Sequence, residues 1–285
     1  MANIRLIRRR TRGVQSIAKI TRAMEMIATS KMRRAQERGL AGRPYAEKIL
    51  QVIADLAALP QTGRALHPLL QRRPVNKIAV VHITPDRGLC GGLHAILNRK
   101  TTSFIVEQTV PVSFIVVGRK GLDFMRRYRR DIHAEFTQLG DRPSLLDTLP
   151  ISRIIMDDYT NGAIDLVYLV YAQFISTMVQ RPIVKQVLPV EPAAIPTAQN
   201  VDYIYEPDPD KVLGGLLPRF VEMQIYHAIL ESIASEQSAR MVAMRNATDN
   251  AKELIDELTL MYNKARQETI TKELLDITGG AAALA

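Results

Sequence analysis

Residues 219–278, RFVEMQIYHAILESIASEQSARMVAMRNATDNAKELIDELTLMYNKARQETITKELLDIT, contain neither proline nor glycine. Those two residue types interrupt local structure most strongly, so their absence predicts one very long helix. At 1.5 Å per residue it would run about 90 Å, well beyond the diameter of a small domain. No single globular core covers such a length, so the helix needs a partner along it.

The other end of the chain offers one. The first 43 residues lack proline and carry glycine only at Gly13, Gly39 and Gly42. Ile17, Ile20, Met24, Ile27 and Lys31 recur at three- and four-residue spacing, which predicts a narrow seam with a basic flank. Near the other end, Ala247, Ala251, Leu254, Leu258, Met261 and Ala265 repeat in the same steps, the pattern of a coiled coil. The two segments can pair only if the chain between them folds back. The expected class is therefore α/β: a long antiparallel two-helix coiled coil of the N- and C-terminal segments, with an inserted α/β domain.

Charge supports the pairing. Between Arg5 and Arg43 there are twelve Lys/Arg against Glu25 and Glu37, whereas Asp210 to Asp276 holds eight Lys/Arg against eleven Asp/Glu. A basic helix beside a mildly acidic one is favourable at the flanks. The whole chain still carries a formal charge of +9, which calls for an acidic partner: nucleic acid, a membrane surface or acidic protein loops. At 285 residues there is room for one or two domains. No apolar run approaches the roughly 18 residues of a membrane span. The arginine-rich start has no apolar stretch of the secretory kind; it can mimic a mitochondrial transit peptide, but its seam continues straight into the helix. Cys90 is the only cysteine, which excludes an internal disulfide and points to a reducing compartment.

From Asn76 the pattern changes. Lys77 to Thr84, Val110 to Val117 and His133 to Thr137 read as strands, with helices at Leu93 to Glu107, Lys120 to Arg130 and Leu145 to Thr160. Alternation of this kind predicts a parallel sheet with crossover helices. Ile164 to Ser176 and Ile183 to Val190 read as two further strands, and the proline-rich stretch Pro189 to Pro209 leads to the long helix. The expected division is 1–60, 75–195 and 210–285, with the first and last paired as one unit.

Few groups invite chemistry. The loop Pro85-Asp86-Arg87-Gly88-Leu89-Cys90-Gly91-Gly92-Leu93 follows a strand and opens a helix, as phosphate-cradling loops do. Its glycines match neither G-x-G-x-x-G nor the pattern ending in Gly-Lys-Ser/Thr, so a tight strand-to-helix turn is the better reading. Cys90 has His82 and His94 near it in sequence but no evident orienting group. The five histidines form no metal-ligand spacing, and no catalytic residue, cofactor or metal is expected. Arg8, Arg9, Arg10, Arg12, Arg33 and Arg34 could grip a phosphate backbone, but the seam runs through this basic stretch instead of following it.

Four stretches carry a family resemblance. Ile20-Thr21-Arg22-Ala23-Met24-Glu25-Met26-Ile27-Ala28-Thr29-Ser30-Lys31-Met32-Arg33-Arg34-Ala35 resembles the N-terminal helix of the γ subunit of bacterial F-type ATP synthases. Asp86 to Leu93, Ser235 to Met244, and Tyr262 to Leu274 resemble further stretches of that family, in collinear order. The resemblance implies a Rossmann-like insertion and a non-catalytic rotor shaft inside an α3β3 ring. Its implied partners are the α, β and ε subunits and the membrane c-ring, with a peripheral location on the cytoplasmic face of the bacterial plasma membrane. It further implies that Met24, Lys31, Arg33, Arg34, Arg240, Gln267 and Thr271 lie at contacts of the shaft with β. Tyr203, Tyr205, Glu206 and Asp208 would lie at the foot, towards the c-ring and ε. Ala281, Ala282, Ala283 and Leu284 would suit a smooth apolar bearing. The alternative function is a basic coiled-coil nucleic-acid binder.

Overall fold

The computed structural model describes residues 4–58, 67–191, 206 and 208–284. In chain order come α1 (Ile4–Ala58), a 3-10 turn (Pro68–Leu70), β1 (Ile78–Ile83), α2 (Leu93–Val106), β2 (Val112–Val117) and α3 (Arg119–Arg127). β3 (Ile132–Phe136), α4 (Leu145–Thr160), β4 (Leu166–Phe174), β5 (Gln180–Leu188) and α5 (Pro209–Leu284) follow. They form two compact units, Met1–Ala28 with Arg240–Ala285, and Thr29–Ala239, so each long helix contributes to both.

The larger unit holds a five-stranded sheet in the order β3-β2-β1-β4-β5. β1 pairs in parallel with β2 and β4, β2 with β3, and only β5 runs antiparallel. The alternating pattern predicts a parallel sheet with crossover helices, and the arrangement is the Rossmann-like one that the resemblance implies. Every residue of β1 is buried, as a central strand covered on both faces must be. On one face Val81, Ile115 and Leu169 share a core with Ile151 and Ile155 of α4, Ile53 of α1 and Val221 of α5. On the other, Val80, Phe114 and Val116 pack with Leu122 and Met125 of α3. Each such fully buried side chain contributes about 1.5–3 kcal/mol.

Local chemistry sets the element ends. The Ser144 hydroxyl accepts from the Asp147 amide and Asp147 accepts from the Ser144 amide, a capping box that starts α4 at Leu145. Asp208 accepts from the Lys211 amide at 2.9 Å with Pro209 in the first helical position, which starts α5. The helix thus begins nine residues before Pro218, which lies inside it. Lacking an N–H, Pro218 leaves the Gly214 carbonyl without its usual helical donor, a local loss that the helix carries through. The start agrees with the expected 210–285 segment, and Gly279 and Gly280 lie inside the helix as well. β5 starts at Gln180 instead of Ile183; Pro182 is tolerated because β5 is an edge strand. Within α1, Gly42 permits a close crossing by α5, since a Cβ there would lie 2.5 Å from the His227 ring.

His82 sits in the core with no exposed surface. Its Nε2 lies 2.9 Å from Asn98 Oδ1 and its Nδ1 3.0 Å from the Thr101 hydroxyl, so both ring nitrogens have a hydrogen-bond partner. Burial disfavours the imidazolium and pushes the pKa down to about 4, against a smaller opposing effect of Asn98. As pH falls, the unfolded chain therefore takes up this proton first. The contribution of His82 is complete above the ordinary value of 6.5 and declines as pH falls towards 4.

Two outcomes follow for the larger unit. Between pH 7 and pH 4 the wild-type chain loses stability on the order of a few kcal/mol from His82. Urea denaturation across that range should show a shallower pH slope for His82→Gln. Gly118 has φ +96°, and a Cβ on it would lie 1.9 Å from the Thr84 carbonyl oxygen. Gly118→Ala should lower the urea midpoint by an amount equivalent to about 2 kcal/mol or more.

Candidate subunit interface

The smaller unit is a pair of helical segments, and its contacts run in opposite chain directions. Thr21 and Thr248 share a hydrogen bond of 2.7 Å, while Arg245 Nε donates to Glu25 Oε1 at 3.0 Å. Advancing along α1 thus means retreating along α5, so the pair is antiparallel. Val14, Ala251 and Leu258 form its apolar cluster, with Ile7, Ala18, Leu254 and Ile255 packed around them.

The seam differs from the expected one by a single residue. On α1 the inward positions are Val14, Ala18, Thr21, Glu25 and Ala28, the last four each one residue beyond the expected Ile17, Ile20, Met24 and Ile27. Ile17, Ile20 and Ile27 are 53%, 59% and 54% exposed, whereas Ala28 is 1% exposed. On α5 the inward row is Met244, Thr248, Ala251, Ile255, Leu258, Tyr262, Ala265 and Thr269. Ala251, Leu258 and Ala265 were expected there, and the expected Leu254 packs on the same cluster while Ala247 is half-buried; Met261 is exposed instead. Short side chains explain the shift. Ala18, Thr21 and Ala28 facing inward let the backbones approach closely, whereas a row of isoleucines would hold them apart.

The consequence is an outer surface that mixes cations with large apolar groups. Leu6, Ile17, Ile20, Met26 and Ile27 on α1 are exposed beside Arg8, Arg9, Arg10, Arg12 and Arg22. On α5, Leu260, Met261, Ile270, Leu274, Leu275 and Ile277 are exposed. Apolar side chains left in water in this number mark a surface that another molecule covers.

The expected contact residues divide between the two units. Met24 is half-buried in the smaller unit, which also holds Arg240, Gln267 and Thr271. Gln267 and Thr271 are exposed and line one shallow depression on α5 with Lys264, Glu268, Lys272 and Leu275. Arg240 has a polar partner within the chain. Lys31, Arg33 and Arg34 belong to the larger unit. Lys31 Nζ donates to Asp141 at 2.6 Å, and Gln237 donates to the other oxygen of the same carboxylate at 3.1 Å. Arg34 is turned back onto its own helix, donating to the Ser30 carbonyl and hydroxyl, whereas Arg33 is exposed. Of the residues expected at the foot, Glu206 is exposed and Asp208 caps α5, its pKa held low first by the Lys211 amide. Tyr203 and Tyr205 lie outside the described residues, as do the side chains of Ala281, Ala282, Ala283 and Leu284.

Glu25 is the residue that sequence reasoning passed over. It is 6% exposed and takes hydrogen bonds from Arg245 and from Arg22 at 3.4 Å. Its signal was available, because it is one of only two acids in the basic N-terminal stretch. The pair also reverses the bulk charge asymmetry, with the acid on α1 and the base on α5.

The glycine loop of the larger unit is a strand-to-helix turn running from Thr84 to Gly92, with Leu89 and Gly91 at positive φ. Asp86 accepts from the amides of Arg119 and Gln138, tying this loop to those after β2 and β3. Cys90 packs with Leu93, Leu97 and Ala172. Among the described residues no three His, Cys, Asp or Glu side chains group as metal ligands.

Comparison with known proteins sets this surface in context. Residues 3–284 match the family described as ATP synthase. A gamma chain of ATP synthase from Dehalococcoides mccartyi strain CBDB1 is 71% identical over 285 residues, covering 100% of both chains. One from Roseiflexus castenholzii is 52% identical over 293 residues, covering 100% of this chain and 99% of the relative. Among solved structures, a chain of the Euglena gracilis mitochondrial ATP synthase (OSCP/F1/c-ring, rotational state 3) superposes with a TM-score of 0.64 at 20% identity. It covers 99% of this chain and 94% of that one. A chain from the central stalk and c-ring of the Tetrahymena thermophila mitochondrial enzyme gives 0.60 at 23%, covering 80% and 99%. At these identities the structures establish the fold.

The pairing of Glu25 with Arg245 can be measured. Glu25→Ala should destabilise the chain by about 1 kcal/mol or less, because Arg245 and Arg22 are mostly exposed and water replaces the lost carboxylate. A double-mutant cycle with Arg245→Ala in urea denaturation should return a coupling of about 0.5 kcal/mol or more. Additive losses would mean the two side chains act independently.

Proposed function

This chain belongs to the ATP synthase gamma-chain family, and from that premise we propose that it is the central rotor shaft of a proton-translocating F-type ATP synthase. It couples rotation of a membrane c-ring to conformational change at catalytic sites on β subunits, for ATP synthesis and hydrolysis. The chain itself is a non-catalytic subunit. The observation that carries this reading is the gamma-chain likeness over the full length at 71% identity. The same likeness displaces the nucleic-acid reading of the basic helix.

The antiparallel pair would sit within an α3β3 ring, where its mixed basic and apolar surface meets the inner faces of α and β. A rotor must favour one β conformation over another at each angle, since a contact equal in all states shifts no equilibrium. An asymmetric surface of scattered arginines and exposed Ile17, Ile20 and Met26 supplies such differences without one deep interlock. We assign the β contacts to Met24, Lys31, Arg33, Arg34, Arg240, Gln267 and Thr271. Within that set, Lys31 and Arg34 have bonds inside the chain, so Arg33, Gln267 and Thr271 are the most available. We assign the foot, towards ε and the c-ring, to Tyr203, Tyr205, Glu206 and Asp208. Functionally the chain divides into a shaft of 1–60 with 210–285 and an α/β insertion of 75–195. No described helix is long and apolar enough to cross a membrane; on the gamma-chain reading its place is peripheral, at the cytoplasmic face of the plasma membrane, held through the c-ring.

The test is co-purification of this chain with its cognate α and β subunits, followed by ATPase turnover with and without it. A stable complex whose sustained turnover requires the chain is the expected result; failure to assemble with competent partners would overturn the reading. Leu258→Pro, which breaks the helix at a buried seam position at a cost of about 3 kcal/mol or more, should abolish assembly or proton-driven synthesis. Unchanged synthesis would show that the intact helix pair is dispensable.

A further inference from the structure

The larger unit contains a cavity of about 610 Å³ that the rotor reading does not use. Its walls come from α1, α5 and the β4–β5 edge of the sheet, and that volume lies within the range of small-molecule sites. Leu40, Leu50, Phe174, Phe220, Met223 and Leu230 make most of the wall apolar.

The polar groups are few and arranged along one stripe. Gln224, His227 and Glu231 all line the cavity and follow one another on α5 at spacings of three and four, hence on one face. Gln224 Oε1 is buried and has no hydrogen-bond partner within the chain. A buried acceptor of this kind is costly unless something donates to it. Glu231 accepts from the hydroxyl of Tyr171, whose pKa is raised by burial and then by that carboxylate. Lys185 faces the same carboxylate, and burial lowers its pKa while Glu231 opposes the change. Glu47 stands exposed at the rim. The lining therefore holds two carboxylates against one ammonium, with an acceptor waiting for a donor.

We propose that this cavity binds a small cationic amphiphile, a protonated amine on an aromatic or branched apolar body. The apolar body fills the space between Phe174, Phe220 and Met223. The ammonium donates to Gln224 Oε1 and is favoured by the excess negative charge of Glu47 and Glu231. An anionic ligand meets that same excess as repulsion, and a purely apolar one leaves Gln224 unpaired. Such a ligand would touch α1, α5 and the sheet at once. The site stands apart from the rotor reading, since nothing in it depends on α, β or the c-ring.

The probe is 2-(2-naphthyl)ethylamine, titrated calorimetrically into the purified full chain and into the α3β3γ assembly at low salt, with 2-(2-naphthyl)ethanol as its neutral counterpart. Saturable one-to-one binding of the amine, about tenfold tighter than the alcohol and converging on it as salt is added, is expected. Gln224→Leu and Glu47→Gln should each weaken amine binding about fivefold and leave the alcohol nearly unchanged. The chain has no tryptophan, so Leu40→Trp at the exposed rim provides a reporter whose emission should shift on addition of the amine. Absence of saturable binding overturns the proposal. Equal affinity for amine and alcohol overturns the charge assignment, and a silent Leu40→Trp reporter despite calorimetric binding moves the amine to another place. The comparison of amine with alcohol on the wild-type chain decides the matter even where a variant fails to fold.

Discussion

Both units of this protein depend on the two ends of the chain meeting. In the smaller unit the meeting is a narrow seam in which Thr21 lies against Thr248 and Glu25 against Arg245. In the larger unit Ile49 and Ile53 of α1 share one core with Leu217, Val221 and Ile225 of α5, and the sheet packs onto that core. An isolated helix as long as α5 gains little stability from propensity alone, so most of its stability comes from burying one face. Neither terminal segment has a face to bury without the other. The α/β insertion depends on the same condition, because one side of its sheet is closed by both ends of the chain.

That constraint accounts for the surface as well as the core. When short side chains occupy the seam, the larger isoleucines and methionines are turned outward among arginines. For a free-standing protein this would invite aggregation; for a subunit enclosed by partners it provides contact area. The buried Glu25 fits the same logic. It is a charge accepted into a seam because two largely exposed arginines reach it, and a buried carboxylate held this way is a means of setting register. The polar pins Thr21–Thr248 and Glu25–Arg245 define which turn of α1 faces which turn of α5, a choice that alanines alone would leave open.

In the α/β unit, the crossover strands and helices were legible because their periods are clear. α4 was readable to its ends, since Ser144 and Asp147 cap one and the apolar spacing runs to Tyr159. The start of α5 is set by Asp208 and Pro209, whereas Pro218, a residue that usually ends a helix, is carried inside it. The β5 boundary was misjudged because Pro182 looks like a breaker and sits harmlessly on a sheet edge. Of the expected contact residues, the likeness to a family supplied positions, but composition and spacing could not say that Lys31 would be held by Asp141, a residue 110 positions away.

By itself the sequence determined that both ends are long helices, that they must pair antiparallel, and that an α/β domain lies between them. Those conclusions rest on local rules, namely the absence of breakers, the heptad period and the alternation of strand and helix patterns. It also located the inward residues Ala251, Leu258 and Ala265 of α5, with Leu254 packed beside them. Only the tertiary structure decided the phase of the remaining seam positions and turned Ile17, Ile20 and Ile27 outward. A period can be read from one helix alone, but which side of the stripe is buried depends on how closely the partner backbone approaches. That distance is set by the side chains of both helices together.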